Sequence, residues 1–193
     1  MEAFFVSTGV VAIAEIGDKT QLLALVLAAR YRAPLPIILG ILVATVANHA
    51  LAASAGLLVA DLLGPEILRQ ALGISFLAMA AWVLVPDKVD DEDTGTARRY
   101  GPFLATLVAF FLLEIGDKTQ IATIALSARF DALVTVTAGT TLGMMIANVP
   151  AVLVGKAAAT KIPMKAAHAV AAVIFAAMGV MALADVGGLF AAF

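Results

Sequence analysis

Two copies of one heptapeptide carry the reactive groups of this chain: Glu-Ile-Gly-Asp-Lys-Thr-Gln at residues 15–21 and again at 114–120. Each copy sets two carboxylates three residues apart, a lysine beside the second acid and a glycine between the acids. On a helix, Glu15 and Asp18 are i and i+3 and share a face, as do Glu114 and Asp117. Lys19 and Lys118 fall on the same flank, and Gln21 and Gln120 continue the stripe. Gly17 and Gly116 remove side-chain bulk beside the acids, which permits close helix approach or local unwinding that frees backbone carbonyls. Such oxygen-bearing groups suit Mg²⁺, Ca²⁺ and Mn²⁺. Four carboxylates and two lysines leave a formal charge of -2, which one divalent cation neutralises. Without metal, acids clustered in a low dielectric take up protons, because burial and like charge both disfavour the ionised form. Metal and protons then compete for the same oxygens, which is the physical basis of exchanging one for the other.

The surroundings of these motifs are apolar. Of 193 residues, 63% are hydrophobic and 13% charged, and mean hydropathy is +1.05. A water-soluble domain carries about 25% charged residues, so an ordinary globule and a disordered chain are both excluded. The net charge of -2 leaves no basic surplus for nucleic acid. Cysteine is absent, which removes disulfide frameworks, thiolate metal sites and cysteine nucleophiles. The composition implies an all-α integral membrane protein with the lipid bilayer as its partner.

Charge gaps and prolines divide the chain into six candidate spans: 4–29, 35–60, 66–85, 102–128, 133–158 and 165–184. Pro34, Pro36, Pro65, Pro86, Pro102 and Pro163 sit at their boundaries, and Pro150 should bend the fifth. Glu2 in place of a basic start, and charge within the first apolar stretch, argue against a cleavable signal peptide. Both motifs then lie near mid-membrane. A single Asp or Lys there costs about 2.5–3.5 kcal/mol, so the cluster must be shared, hydrated or filled by an ion. A purely structural reading makes each motif a local ion pair, Glu15–Lys19 and Glu114–Lys118. Two copies at membrane depth weigh against it. The lysines are expected to act as charge partners that hold the acids. Thr20, Thr119, Gln21 and Gln120 fit equally well as ligands or as partners for helix backbone and neighbours.

The chain repeats itself at an offset of 99 residues. Residues 15–30 and 114–129 are identical at ten of sixteen positions, and the same offset pairs Gly40 with Gly139, Phe76 with Phe175 and Met79 with Met178. The halves are 1–86 and 102–193, joined by an acidic linker over 87–101. A unit of three spans emerges on the opposite side, so its copy is inverted, and equivalent residues can converge at the midplane. Loops one, three and five hold Arg30, Arg32, Lys88, Arg98, Arg99, Lys156, Lys161 and Lys165, against Arg69 and Arg129 on the other side. This bias predicts cytoplasmic odd-numbered loops and both termini outside.

The repeated motif resembles the E-x-G-D-[K/R]-[T/S] signature of the second Ca²⁺/cation antiporter family, related to the lysine-exporter superfamily. That family includes Golgi and chloroplast manganese/calcium transporters and bacterial manganese exporters. The resemblance extends over the whole chain: six spans, two halves, one motif opening each, and an acidic linker. It implies export of Mn²⁺ or Ca²⁺ in exchange for protons, with metal bound by Glu15, Asp18, Glu114 and Asp117 and the motif helices taking part in opening and closing. The cation is cargo, and no cofactor is expected. With no targeting peptide, a multi-pass protein of a cell's inner (plasma) membrane is the expected setting.

Weaker candidates lie on the second and fifth spans. Asn48, His49 and Asn148 could hydrogen-bond the acids, supply a ligand for Mn²⁺, or simply bond a neighbouring helix. Met144 and Met145 read as packing, Trp82 as an interface anchor, and Asp61, Glu66, His168 and Asp185 as groups that meet headgroups or water near span ends. Apolar helix faces could pack on lipid or on another copy of the chain as a homo-oligomer. Rival functions are export of a small organic solute such as an amino acid, a membrane-embedded hydrolase, and a passive channel.

Overall fold

The computed structural model describes residues 1–85, 101–154 and 164–184. The acidic linker, Pro86, Pro163, Lys156, Lys161 and Asp185 lie outside them. Eight helices, and no strand among the described residues, run in the order α1 (Glu2–Ala14), α2 (Lys19–Tyr31), α3 (Pro34–Leu62), α4 (Pro65–Trp82), α5 (Pro102–Glu114), α6 (Lys118–Phe130), α7 (Leu133–Val154) and α8 (Met164–Leu183). Prolines occupy the first turns of α3, α4 and α5, where their missing N–H has no intrahelical partner to lose.

Helices occupy each of the six expected segments, with one correction. The stretches 4–29 and 102–128, expected as single helices, are each two helices of 13 residues. The cause is local: Gly17 and Gly116 have φ of 84° and 77°, a left-handed conformation that stops a helix and that glycine alone adopts without strain. A helix of 13 residues is about 20 Å long, too short for a hydrocarbon core of about 30 Å. Two helices, Pro34–Leu62 and Leu133–Leu153, are long and apolar enough to cross one.

Each broken pair is braced by a long helix from the other half. Gly40 of α3 lies against Phe103 and Thr106 of α5, and Gly56, a few turns on, lies against Ile124 and Ser127 of α6. The second pair therefore runs alongside α3 in the same direction, with its break near the middle of α3. In the counterpart contact, Gly139 of α7 lies against Phe4 and Ser7 of α1. A Cβ at Gly139 would stand 2.6 Å from the Phe4 carbonyl oxygen, so only glycine allows this approach. The third helices, α4 and α8, pack on each other, and Phe76 and Phe175 stack across them at 6.4 Å.

The polarity is inside out relative to a water-soluble protein. Glu15, Asp18, Gln21, Thr45, Asn48, His49, Glu114, Asp117, Lys118 and Asn148 are buried. Leu39, Val43, Val46, Leu51 and Leu58 of α3, and Val134, Leu142, Ile146 and Leu153 of α7, face outward. Met144 is buried and Met145 half-buried beside it, consistent with packing. Trp82 closes α4 and is partly exposed.

Candidate metal site

Both motifs occupy helix breaks. Glu15–Asp18 links α1 to α2, and Ile115–Asp117 links α5 to α6. The shared-face geometry of a continuous helix therefore does not apply; unwinding, the second use of the glycine, is what the chain adopts. Asp18 and Asp117 are extended, with ψ of 166° in both, at the N-terminal ends of α2 and α6. The Asp18 N–H donates to the Glu15 carbonyl and the Asp117 N–H to the Glu114 carbonyl, each at 3.1 Å.

The polar residues that follow stitch these breaks together. Gln21 Oε1 accepts the Gly17 N–H at 3.0 Å, and Gln120 Oε1 accepts the Gly116 N–H at 2.7 Å. The glutamine thus replaces a helix carbonyl that the break has removed. The Thr20 hydroxyl donates to Glu15 Oε2 at 2.5 Å, and the Thr119 hydroxyl to Glu114 Oε2 at 3.1 Å. Gln21 Nε2 also reaches across to the Ala147 carbonyl at 2.9 Å, and Asn48 Nδ2 reaches the Phe111 carbonyl at 2.9 Å. Asn148 turns back on its own helix, donating to the Met144 carbonyl and sulfur.

The lysines do not form the local pairs. Lys19 Nζ lies 3.0 Å from Asp117 Oδ1, and Lys118 Nζ lies 3.5 Å from Asp18 Oδ1 and 3.4 Å from the Val85 carbonyl. Each lysine crosses to the other half. The i+4 spacing to the glutamates fails because the break rotates each lysine away from the preceding acid.

Three of the four motif acids converge. One carboxylate oxygen each of Glu15, Glu114 and Asp117 lie within 4.8 Å of one another. Asp18 stands outside this trio, beside Lys118. Both glutamates are 0% exposed and both aspartates 2%. Glu15 Oε1, Glu114 Oε1 and Asp117 Oδ2 have no hydrogen-bond partner among the described residues. Buried carboxylate oxygens without donors are costly and are the groups a divalent cation satisfies. His49, fully buried on α3, places Nε2 4.0 Å from Glu114 Oε2.

The break, the glutamine clasp and the crossed lysines are the features that helical spacing misses. The glycine between the acids was the available signal for the first. The repeat itself was the signal for the last, since equivalent residues related by a two-fold exchange partners.

A model of the divalent cation/proton antiporter GDT1 matches residues 3–91 and 102–188, one block on each half. The chain belongs to the GDT1 family. A protein of Vibrio cholerae serotype O1 named "Putative manganese exporter" is 56% identical over 179 residues, covering 92% of this chain and 88% of that protein. GDT1-like protein 3 of Oryza sativa subsp. indica is 28% identical over 200 residues, covering 90% of this chain and 71% of the rice protein. GDT1-like protein 4 of the same plant is 31% identical over 186 residues, covering 83% and 66%. No solved structure matches the chain. GDT1 membership bears out the resemblance carried by the motif and makes the chain a membrane transporter of the cation/proton class, which removes the hydrolase.

Proposed function

We propose that this chain exports a divalent cation, Mn²⁺ foremost and Ca²⁺ as the second cargo, in exchange for protons through one site shared by both motifs. The observation that carries this reading is the meeting of buried carboxylates from both halves: Glu15 from one, Glu114 and Asp117 from the other. Residues 1–86 and 102–193 act as inverted three-span repeats, each broken helix counting as one span, so the trio falls near the midplane. Odd-numbered loops face the cytoplasm of a bacterial inner membrane and both termini face outward. Mn²⁺ arrives from the cytoplasm and displaces protons from the glutamates. Asp18 joins the cage as Lys118 gives way. Rocking of the halves opens the site outward, and incoming protons release the metal and reset the acids. The crossed lysines support this cycle, because each breaks or re-forms a contact between halves when they move.

The test is purified protein in sealed vesicles, with Mn²⁺ and Ca²⁺ flux followed with and without an imposed pH gradient. Uptake should rise with an acid-inside gradient and alkalise the lumen in step with metal entry. Flux of equal size without proton movement would make the chain a channel. Inhibition by an amino acid in place of a metal would favour the organic-solute exporter.

A further inference from the structure

The site has an asymmetry that the repeat does not explain. At the position of His49 in the first half, the second half carries Asn148. Asn148 Nδ2 is engaged with the Met144 carbonyl at 3.1 Å. The His49 ring is 0% exposed, and neither Nδ1 nor Nε2 has a hydrogen-bond partner among the described residues. Leaving a buried polar atom unsatisfied is costly, so a ring with two such atoms needs a reason to be there.

The distance supplies one. His49 stands outside the carboxylate trio, as Asp18 does, and approaches it through one member: its Nε2 is 4.0 Å from Glu114 Oε2. That is too long for a hydrogen bond, which ends near 3.2 Å. It is the spacing of two ligands around one ion: atoms about 2.0–2.2 Å from a metal lie about 3 Å apart at a right angle and about 4 Å apart on opposite sides. Glu114 Oε1, on the same carboxylate, is also without a partner. The ring stands on α3 at the level of the second break, since Asn48 beside it bonds the Phe111 carbonyl of α5.

We propose that His49 supplies a nitrogen ligand to the transported cation and sets the preference for Mn²⁺ over Ca²⁺. This rests on the proposed shared site of Glu15, Glu114 and Asp117. Imidazole nitrogen is a borderline donor that first-row transition ions accept, whereas Ca²⁺ and Mg²⁺ take oxygen almost exclusively. Carboxylates alone fit all of these cations. One nitrogen among oxygens tilts the cage toward a transition ion without closing it as a multi-histidine site would. The duplicated motifs then supply affinity and charge, and the unduplicated histidine supplies choice.

The test uses the full-length protein in detergent or nanodiscs, loaded with Mn²⁺ alone. Pulsed electron paramagnetic resonance should detect a directly bonded histidine ¹⁴N on the bound ion, and ¹⁵N-histidine labelling should convert that signal. The chain has two histidines. His168→Gln should leave the coupling intact, and His49→Asn, which copies the second half, should abolish it. Calorimetry should then find Mn²⁺ bound about tenfold more weakly by His49→Asn, with Ca²⁺ affinity unchanged, so the ratio between them drops about tenfold. His49→Gln, closer in size, gives the same comparison should the asparagine variant misfold. Bound Mn²⁺ without histidine coupling in the wild-type protein, or equal weakening for both cations, would overturn the assignment of His49 and leave the carboxylate site standing. Failure of the wild-type protein to bind Mn²⁺ at all would overturn the shared site and this inference with it.

Discussion

The two motif breaks share seven residues, one backbone path and one set of internal hydrogen bonds, yet they sit in different surroundings. Gly17 is buried and Ile16 half-buried, whereas Gly116 is exposed and Ile115 is 56% exposed. Lys118 is 4% exposed in its pair with Asp18, while Lys19 is 20% exposed in its pair with Asp117. Gln21 makes a second bond, to the Ala147 carbonyl. Identical local sequence therefore fixes the break itself but not its packing, which depends on the neighbours each half meets. In the exchange cycle proposed above, one break is sealed while the other is exposed, and alternation would exchange the two.

Substitutions at four pairs of equivalent positions probe how unequal the breaks are. The largest effect is expected for the aspartates. Asp117→Asn removes a member of the carboxylate trio and should weaken Mn²⁺ binding by about 100-fold, the upper end for residues one layer further from a metal. Asp18→Asn should cost less affinity but still stop transport; calorimetry and vesicle flux together separate these effects. Equal loss of binding in both would show that Asp18 belongs to the resting cage. Next come the lysines. Lys118→Gln leaves Asp18 buried without its lysine and should lower stability by about 3–5 kcal/mol. Lys19→Gln should lower it by about 1–2 kcal/mol, because that pair is partly screened by solvent. Unfolding by heat or denaturant in detergent ranks them.

The glycines should behave more alike. A Cβ at Gly116 meets nothing within 4 Å, so Gly116→Ala pays only for its positive φ, about 1–2 kcal/mol. Gly116→Asn should recover part of that, since asparagine tolerates the left-handed region. Gly17→Ala should cost at least as much at its buried site. The smallest contrast is between the glutamines. Gln21→Leu loses two bonds and should destabilise by about 1–3 kcal/mol, whereas Gln120→Leu at the exposed break should cost about 1 kcal/mol. A reversed order would mean that the surface position of the second break is not its resting state.

Much of this was legible in the sequence, for identifiable reasons. The apolar segments end at prolines and charges, so α3, α4, α7 and α8 begin within a residue or two of the expected positions. The offset of 99 residues paired Gly40 with Gly139 and Phe76 with Phe175, and the fold sets each of these residues in a contact between the halves. Helical periodicity misled at the motifs. It assumes an unbroken 3.6-residue turn, and a glycine at positive φ cancels that assumption within one residue. The i+4 rule tied Lys19 to Glu15; the break carried it to Asp117 instead. The separation of Asp18 from the trio was not legible at all, because two identical motifs give no hint of unequal packing. His49 stood out in the sequence as a residue that could ligate Mn²⁺, hydrogen-bond the acids or bond a neighbouring helix; that its ring nitrogens find no hydrogen-bond partner among the described residues belongs to the fold.

The bracing of each broken helix by the opposite half has a consequence for ancestry and expression. Neither half is self-sufficient: the seat of α1 is on α7, and the seats of α5 and α6 are on α3. Two separately encoded halves would have to be made in matched amounts before either found its seat. Joining them in one polypeptide guarantees that stoichiometry. It also freed the copies to diverge residue by residue, as a histidine facing an asparagine already records.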